Sequence, residues 1–161
     1  MEALIERLHA GGYSCVIEQR GEIRTFTRRG VADLYEVYRH HPEWLAQARV
    51  ADKVIGCGAA ALLVLGNVAE VYVDVISTPA LTLLREAGIP VRFEREVPHI
   101  ENRAKSGWCP LETACDGLRS ASEMYPVIQQ FMDRQNGASA SVASAAPSTP
   151  ADSKGLEKGL K

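Results

Sequence analysis

A chain of 161 residues, 46% of them hydrophobic, has the length of one ordinary domain and enough apolar mass to bury a core. Its formal charge of −2 and pI near 6.1 argue against a general nucleic-acid binder, which needs a basic face. No apolar run reaches the length of a membrane span, and Met1 to Leu8 is amphipathic and acidic, unlike a secretory signal.

The expected compartment is therefore the cytoplasm, where Cys15, Cys57, Cys109 and Cys115 are thiols or ligands rather than disulfides. Residues 2–10 read as a short helix with Leu4, Ile5 and Leu8 on one face and Gly11-Gly12 as its stop. Tyr13 to Glu18 and Glu22 to Thr27 read as a hairpin about Gln19-Arg-Gly21. Arg24, Arg28 and Arg29 form the tight basic cluster of the chain and read as a solvated hairpin end. A second helix is expected from Val31 to His40, with Pro42 ending it and Trp44 and Leu45 in a further short turn.

The middle is the best-specified part. Gly58 to Leu65 is apolar all round, so that helix is expected to be buried against a sheet, with Gly66 as its stop. Glu70 to Ile76 is a β-branched run suited to an interior strand. Ser77-Thr78-Pro79 supplies a cap and a proline for the next helix, which Gly88 closes. A strand beginning at Val91 makes residues 70–94 a β-α-β unit, hence a parallel pair. A long irregular stretch follows to Leu118, and its Trp108, two Cys and His argue that it is ordered. In the last helix Ser120 and Glu123 resemble a capping box, but Pro126 conflicts with that start and moves the expected one nearer Ser122. The domain is expected to span 1–135, with 136–161 as a disordered tail rich in Ala, Ser, Pro and Lys.

Asp52-Lys-Val-Ile-Gly-Cys-Gly-Ala-Ala-Ala-Leu-Leu63 carries the first chemical signal: a strand end, a glycine turn and an apolar helix. Gly56, Gly58 and Ala61 fit G-x-G-x-x-G/A, so a dinucleotide could bind with its pyrophosphate on the helix start. Against that, Asp74 lies in mid-strand and the ordered chain is short for two mononucleotide halves. His99-Ile100-Glu101 is an H-x-E triplet followed by Cys109 and Cys115, but five residues separate those cysteines, and neither a deaminase P-C-x-x-C nor a zinc knuckle results. No metal is therefore expected.

Two thiols are nucleophile candidates. Cys57 stands at a helix start, where the dipole and free amides favour a thiolate. Cys109 has His99 and Glu112 nearby in sequence, with His99 as the candidate base. Asp74, among Val71, Val73 and Val75, must be paired or face a cleft, with Lys53 or Arg103 as natural partners. Asn102 and Arg103 could grip an anionic ligand or pin their own loop.

The blocks Gly30-Val-Ala-Asp-Leu-Tyr35, Ala51-Asp-Lys-Val-Ile-Gly56, Asp74-Val-Ile-Ser-Thr-Pro-Ala-Leu81, Leu84-Arg-Glu-Ala-Gly-Ile89, Val97-Pro-His-Ile-Glu-Asn-Arg103 and Gly107-Trp-Cys-Pro-Leu-Glu112 together resemble the domain-of-unknown-function family 1893, a group of uncharacterised bacterial proteins. The similarity runs over roughly residues 2 to 134. It implies an α/β class protein, a three-layer α/β/α sandwich on a mixed sheet with a cytidine-deaminase-like fold. A deaminase of that fold keeps its zinc residues at two helix starts. By order along this chain those starts are Gly56-Cys57-Gly58 and Thr78-Pro79-Ala80-Leu81, and neither holds a zinc set.

Zinc-dependent deamination is thus not expected, and no cofactor is. What the resemblance leaves is two positive helix ends facing one cleft, suited to a small anionic or nucleotide-like ligand such as a phosphate. The ligand-binding candidates are Lys53, Gly56, Gly58, Asp74, Ser77, Thr78, Asn102 and Arg103, with Cys57, Cys109 and His99 as catalytic candidates. Two rival readings are a cysteine-dependent enzyme and a protein-interaction module without a ligand. Homo-oligomerisation stays open, because the apolar helix at 58–65 could be covered by its own chain or by another subunit.

Overall fold

Each regular element follows from its local pattern. Helix α1 (Glu2–Ala10) buries Leu4 and Leu8. Strands β1 (Cys15–Gln19) and β2 (Glu22–Phe26) form the expected hairpin. Arg20 and Gly21 take positive φ of 55° and 81°, as a two-residue turn matched to strand twist requires. Helix α2 (Ala32–His40) buries Leu34, Tyr35 and Val37, and one 3₁₀ turn follows at Pro42–Trp44. Strand β3 (Arg49–Ile55), helix α3 (Cys57–Leu65), strand β4 (Glu70–Ser77), helix α4 (Thr78–Glu86) and strand β5 (Val91–Val97) then alternate.

The five strands form one sheet in the order β2-β1-β3-β4-β5. β1 is antiparallel to β2 and β3, whereas β3, β4 and β5 run parallel, so the sheet is mixed. The β-α-β unit anticipated over 70–94 is the β4-α4-β5 pair. On one face Leu4 and Leu8 of α1 pack against Val16, Ala51 and Tyr72. Strand alternation turns Ile17, Val50, Val71 and Val73 to the other face, where they are equally buried and α3 packs. Helices on both faces of a mixed sheet are the α/β/α layering that the family resemblance implied.

In this computed structural model residues 1–28, 30–102 and 104–145 are described, with 137–145 as helical backbone. Arg29 of the basic cluster, Arg103 and positions 146–161 of the expected tail lie outside the described residues. Residues 1–128 form one unit and those from Gln129 another, whose described part is the continuation of the last helix.

Two details position the site and bear on the sequence expectation. The stretch after Val97 is not irregular throughout: Glu101 bridges to Trp108, and α5 (Pro110–Cys115) follows. Helix α6 (Ala121–Ala145) starts within one residue of the expected Ser122, and the capping box forms despite Pro126. Ser120 Oγ accepts from the Glu123 N–H at 3.1 Å, and Glu123 Oε1 accepts from the Ser120 N–H at 3.1 Å and the Arg119 N–H at 2.9 Å. Those bonds hold the Glu123 carboxyl below its ordinary range. Pro126 sits inside the helix, where it has no amide N–H to donate.

Candidate functional site

The site begins where two parallel strands turn directly into helices. Ile55 of β3 lies beside Ile76 of β4 in register, so the starts of α3 and α4 are neighbours. Gly56 is the extended N-cap of α3 and offers no side chain to the free amides of the first turn. Ser77 ends β4 and caps α4, its Oγ accepting from the Ala80 N–H at 3.3 Å.

Glu112 of α5 fills the position between them. Its side chain is buried, and Oε1 accepts from the Cys57 N–H at 2.7 Å and from Ser77 Oγ at 3.4 Å. Oε2 accepts from the Ile100 N–H at 2.8 Å. One carboxylate therefore joins both helix starts to the 98–118 arm. Negative charge is favoured there for the usual reason, aligned peptide dipoles and amides without helical partners.

The glycines of the opening motif are explained by the same contact. A Cβ on Gly56 would lie 3.1 Å from Glu112 Oε1, and one on Gly58 would lie 2.3 Å from Leu111 Cδ2 and 2.9 Å from its Cγ. Close approach is needed by α5, and the space a pyrophosphate requires beside Gly56 and Gly58 is held by Leu111 and Glu112. Ala61 is buried within α3. Gly58→Ala is expected to destabilise the fold by up to about 2 kcal/mol: overpacking against Leu111 costs about 1–3 kcal/mol and is offset by a helix-propensity gain of about 1 kcal/mol. Urea denaturation of the two proteins measures the difference.

Cys57 does not become a thiolate at its helix start. Burial raises its pKa well above the ordinary value, and the adjacent Glu112 carboxylate adds to the rise. Both effects oppose the helix dipole. Cys115, also buried, is pushed up to about 11 by burial and then by Glu112. Cys109 is half-buried, caps α5 and donates its N–H to the Ile100 carbonyl at 2.7 Å. His99 stacks on Trp108 with ring centroids 3.3 Å apart, and among the described residues no hydrogen bond joins it to a cysteine.

The other sequence candidates are dispersed. Thr78 Oγ1 donates to Glu96 Oε2 at 2.7 Å, toward β5 rather than toward Glu112. Asn102 pins its own loop, with its Nδ2 3.2 Å from Ser106 Oγ and its Oδ1 accepting from the Ser106 N–H at 3.1 Å. Lys53 is half-buried, and its ammonium has no partner among the described residues. Asp74 is paired neither with Lys53 nor, among the described residues, with any arginine. His9 Nε2 lies 2.9 and 3.1 Å from its two oxygens, and the Tyr72 hydroxyl donates to it. Tyr72 and Asp74 share the face under α1, whose last turn brings His9 within reach. Asp74 therefore ties α1 to the sheet instead of lining the α3 and α4 starts.

A second buried carboxyl emerges at Asp52. It faces Cys15 across β1 and β3, accepts from the Val54 N–H at 3.1 Å and receives the Cys15 thiol hydrogen. Burial is the largest influence on it and pushes its pKa up to about 7, partly opposed by those hydrogen bonds. The sequence marked Asp52 only as part of a strand. Glu112 entered the sequence reading only as a neighbour of Cys109, although an N-cap glycine without a side-chain acceptor signals that an acceptor must come from elsewhere.

A family model described as a domain of unknown function, DUF1893, matches residues 3–132. The chain belongs to the DUF1893 family. A crystal structure of a DUF1893 family protein, TM1506 from Thermotoga maritima, is similar with a TM-score of 0.74 over 81% of this chain and 88% of that one, at 19% identity. At that identity the likeness is one of fold. RibD from Acinetobacter baumannii, in two crystal forms, matches 58% of this chain and 33% of its own with a TM-score of 0.39 and 19% identity. Among proteins with curated descriptions none matches.

Among the described residues of this DUF1893 chain, no group of three or more His, Cys, Asp and Glu could hold a metal ion. At the two helix starts Cys57 is joined by Ser77 and Glu112, and the Glu112 oxygens are taken up by backbone and hydroxyl donors. That donor set does not fit zinc. No helix among the described residues is long and apolar enough to cross a membrane.

Proposed function

We propose that this DUF1893 protein binds a small anionic or nucleotide-like ligand at the paired starts of α3 and α4, in the position held by the Glu112 carboxylate. The supporting observation is that carboxylate itself: it accepts hydrogen bonds from Cys57 at one start and Ser77 at the other. A ligand phosphate or carboxylate takes the same donors when the 98–118 arm withdraws Glu112. The proposed setting is the cytoplasm, where its four free cysteines stay reduced.

The cysteine-enzyme reading gains no support from this geometry, since Cys57 is buried with a raised pKa and His99 is engaged with Trp108. A thermal-shift panel of inorganic phosphate, carboxylates and nucleotides tests the ligand reading on wild type and on Glu112→Gln. The expected result is a rise in Tm, larger in Glu112→Gln because the internal competitor is weakened. No shift in either protein across the panel overturns it.

A further inference from the structure

A separate feature of the molecule is the outer edge of the sheet. β5 is a terminal strand, and its outer backbone groups have no partner strand. Arg92, Glu94, Arg95 and Glu96 are exposed along it, with Phe93 half-buried between. Such charges are a common defence against strand pairing. Their order here is also self-complementary in one register.

Two copies of one strand pairing antiparallel about a two-fold axis place the axis through a residue, because directly opposed residues share the same hydrogen-bonding state. An axis through Arg92 sets Arg92 against itself. An axis through Glu94 sets that carboxylate against itself, and one through Arg95 opposes two arginines and sets Glu94 against Glu96. Among axes through the inner residues Arg92 to Glu96, the one through Phe93 avoids every like-charge pair: Arg92 faces Glu94 of the second copy twice over, Phe93 faces Phe93, and Arg95 lies against Val91. Directly opposed side chains decide register, since opposite charges stabilise and like charges destabilise.

We propose that the β5 edge is a self-association surface, on which a second copy of this chain pairs antiparallel about Phe93 and extends the sheet through both molecules. The groups it needs are accessible. Arg92 is 54% exposed and pairs with Glu2, itself 81% exposed, so the guanidinium can also meet Glu94 of the second copy. Glu94 has no hydrogen bond or ion pair among the described residues, which leaves its carboxylate free for that contact.

Sedimentation velocity on the full chain, with circular dichroism to show that each variant is folded, tests the surface. Wild type is expected to dimerise. Arg92→Glu and Glu94→Arg each create two like-charge pairs and are expected to weaken dimerisation by about tenfold or more. Mixing those two variants restores complementarity at both positions, so a heterodimer is expected from two proteins that self-associate poorly. Glu2→Gln, which removes only the intramolecular pair, leaves the dimer intact. A monomeric wild type overturns the proposal, as does a dimer indifferent to both swaps or a mixture that fails to associate.

Discussion

Glu112→Ala is expected to lower the unfolding free energy by about 3–5 kcal/mol, among the largest effects of any single substitution in this chain. The deletion leaves the Cys57 and Ile100 amides without acceptors, each lost buried bond costing about 1–3 kcal/mol, and opens a void beside Gly56. Glu112→Gln keeps one acceptor but turns an NH₂ group toward a donor, so its loss should be intermediate. Guanidinium denaturation orders the three proteins. Acetate or phosphate supplies the missing acceptor, and their addition should raise the denaturation midpoint of the alanine variant more than that of wild type. Equal stability of wild type and alanine variant would show that the carboxylate is not the tie the geometry describes.

Asp52→Asn is expected to stabilise the protein, and only above acid pH. The Asp52 pKa is about 3.8 as the ordinary reference and about 7 in the fold. Below the lower value both states carry the proton and the residue adds no pH dependence. Between the two values the unfolded chain ionises while the folded chain keeps its proton. Stability from this group therefore falls as pH rises, and the fall is complete once pH passes the folded pKa. A shift of that size corresponds to about 4 kcal/mol. Asparagine retains the acceptor for the Val54 N–H and carries no charge to bury. The gain over wild type should be near zero at about pH 4 and level off above about pH 7. Urea unfolding across that range measures it; a gain that is constant with pH contradicts a buried, proton-holding Asp52.

Much of the fold was legible because its signals are local. The period of α1, the glycine turn of the first hairpin and the Ser-Thr-Pro start of α4 each act within a few residues, and the structure follows them. The 70–94 unit was readable as a parallel pair because β-branched runs flank a capped helix. What was illegible was carried by distant partners. Glu112 acts on Cys57 from 55 residues away, and no local pattern announces that contact. His9 and Asp74 are separated by 65 residues, so Asp74 was assigned neighbours from its apparent cleft rather than from α1. The Cys57 prediction counted the helix terminus but not burial or a carboxylate arriving from α5, and those decide the direction. At the start of α6 two conflicting local signals met, and the reciprocal bonds of Ser120 and Glu123 prevailed over Pro126.

The junctions of β3 with α3 and β4 with α4 contain almost no connecting chain: Gly56 alone separates one pair, and Ser77 passes straight into Thr78 in the other. The helix starts are thus anchored by strands inside the sheet and cannot shift independently of it. Their amides are set in place when the domain folds, so the anion of the proposed function would meet donors whose orientational entropy has already been lost. Any conformational cost of admitting it falls on the arm that carries Ile100 and Glu112. Amide exchange should divide along that line, slow at the strand-helix junctions and responsive to anions in the arm.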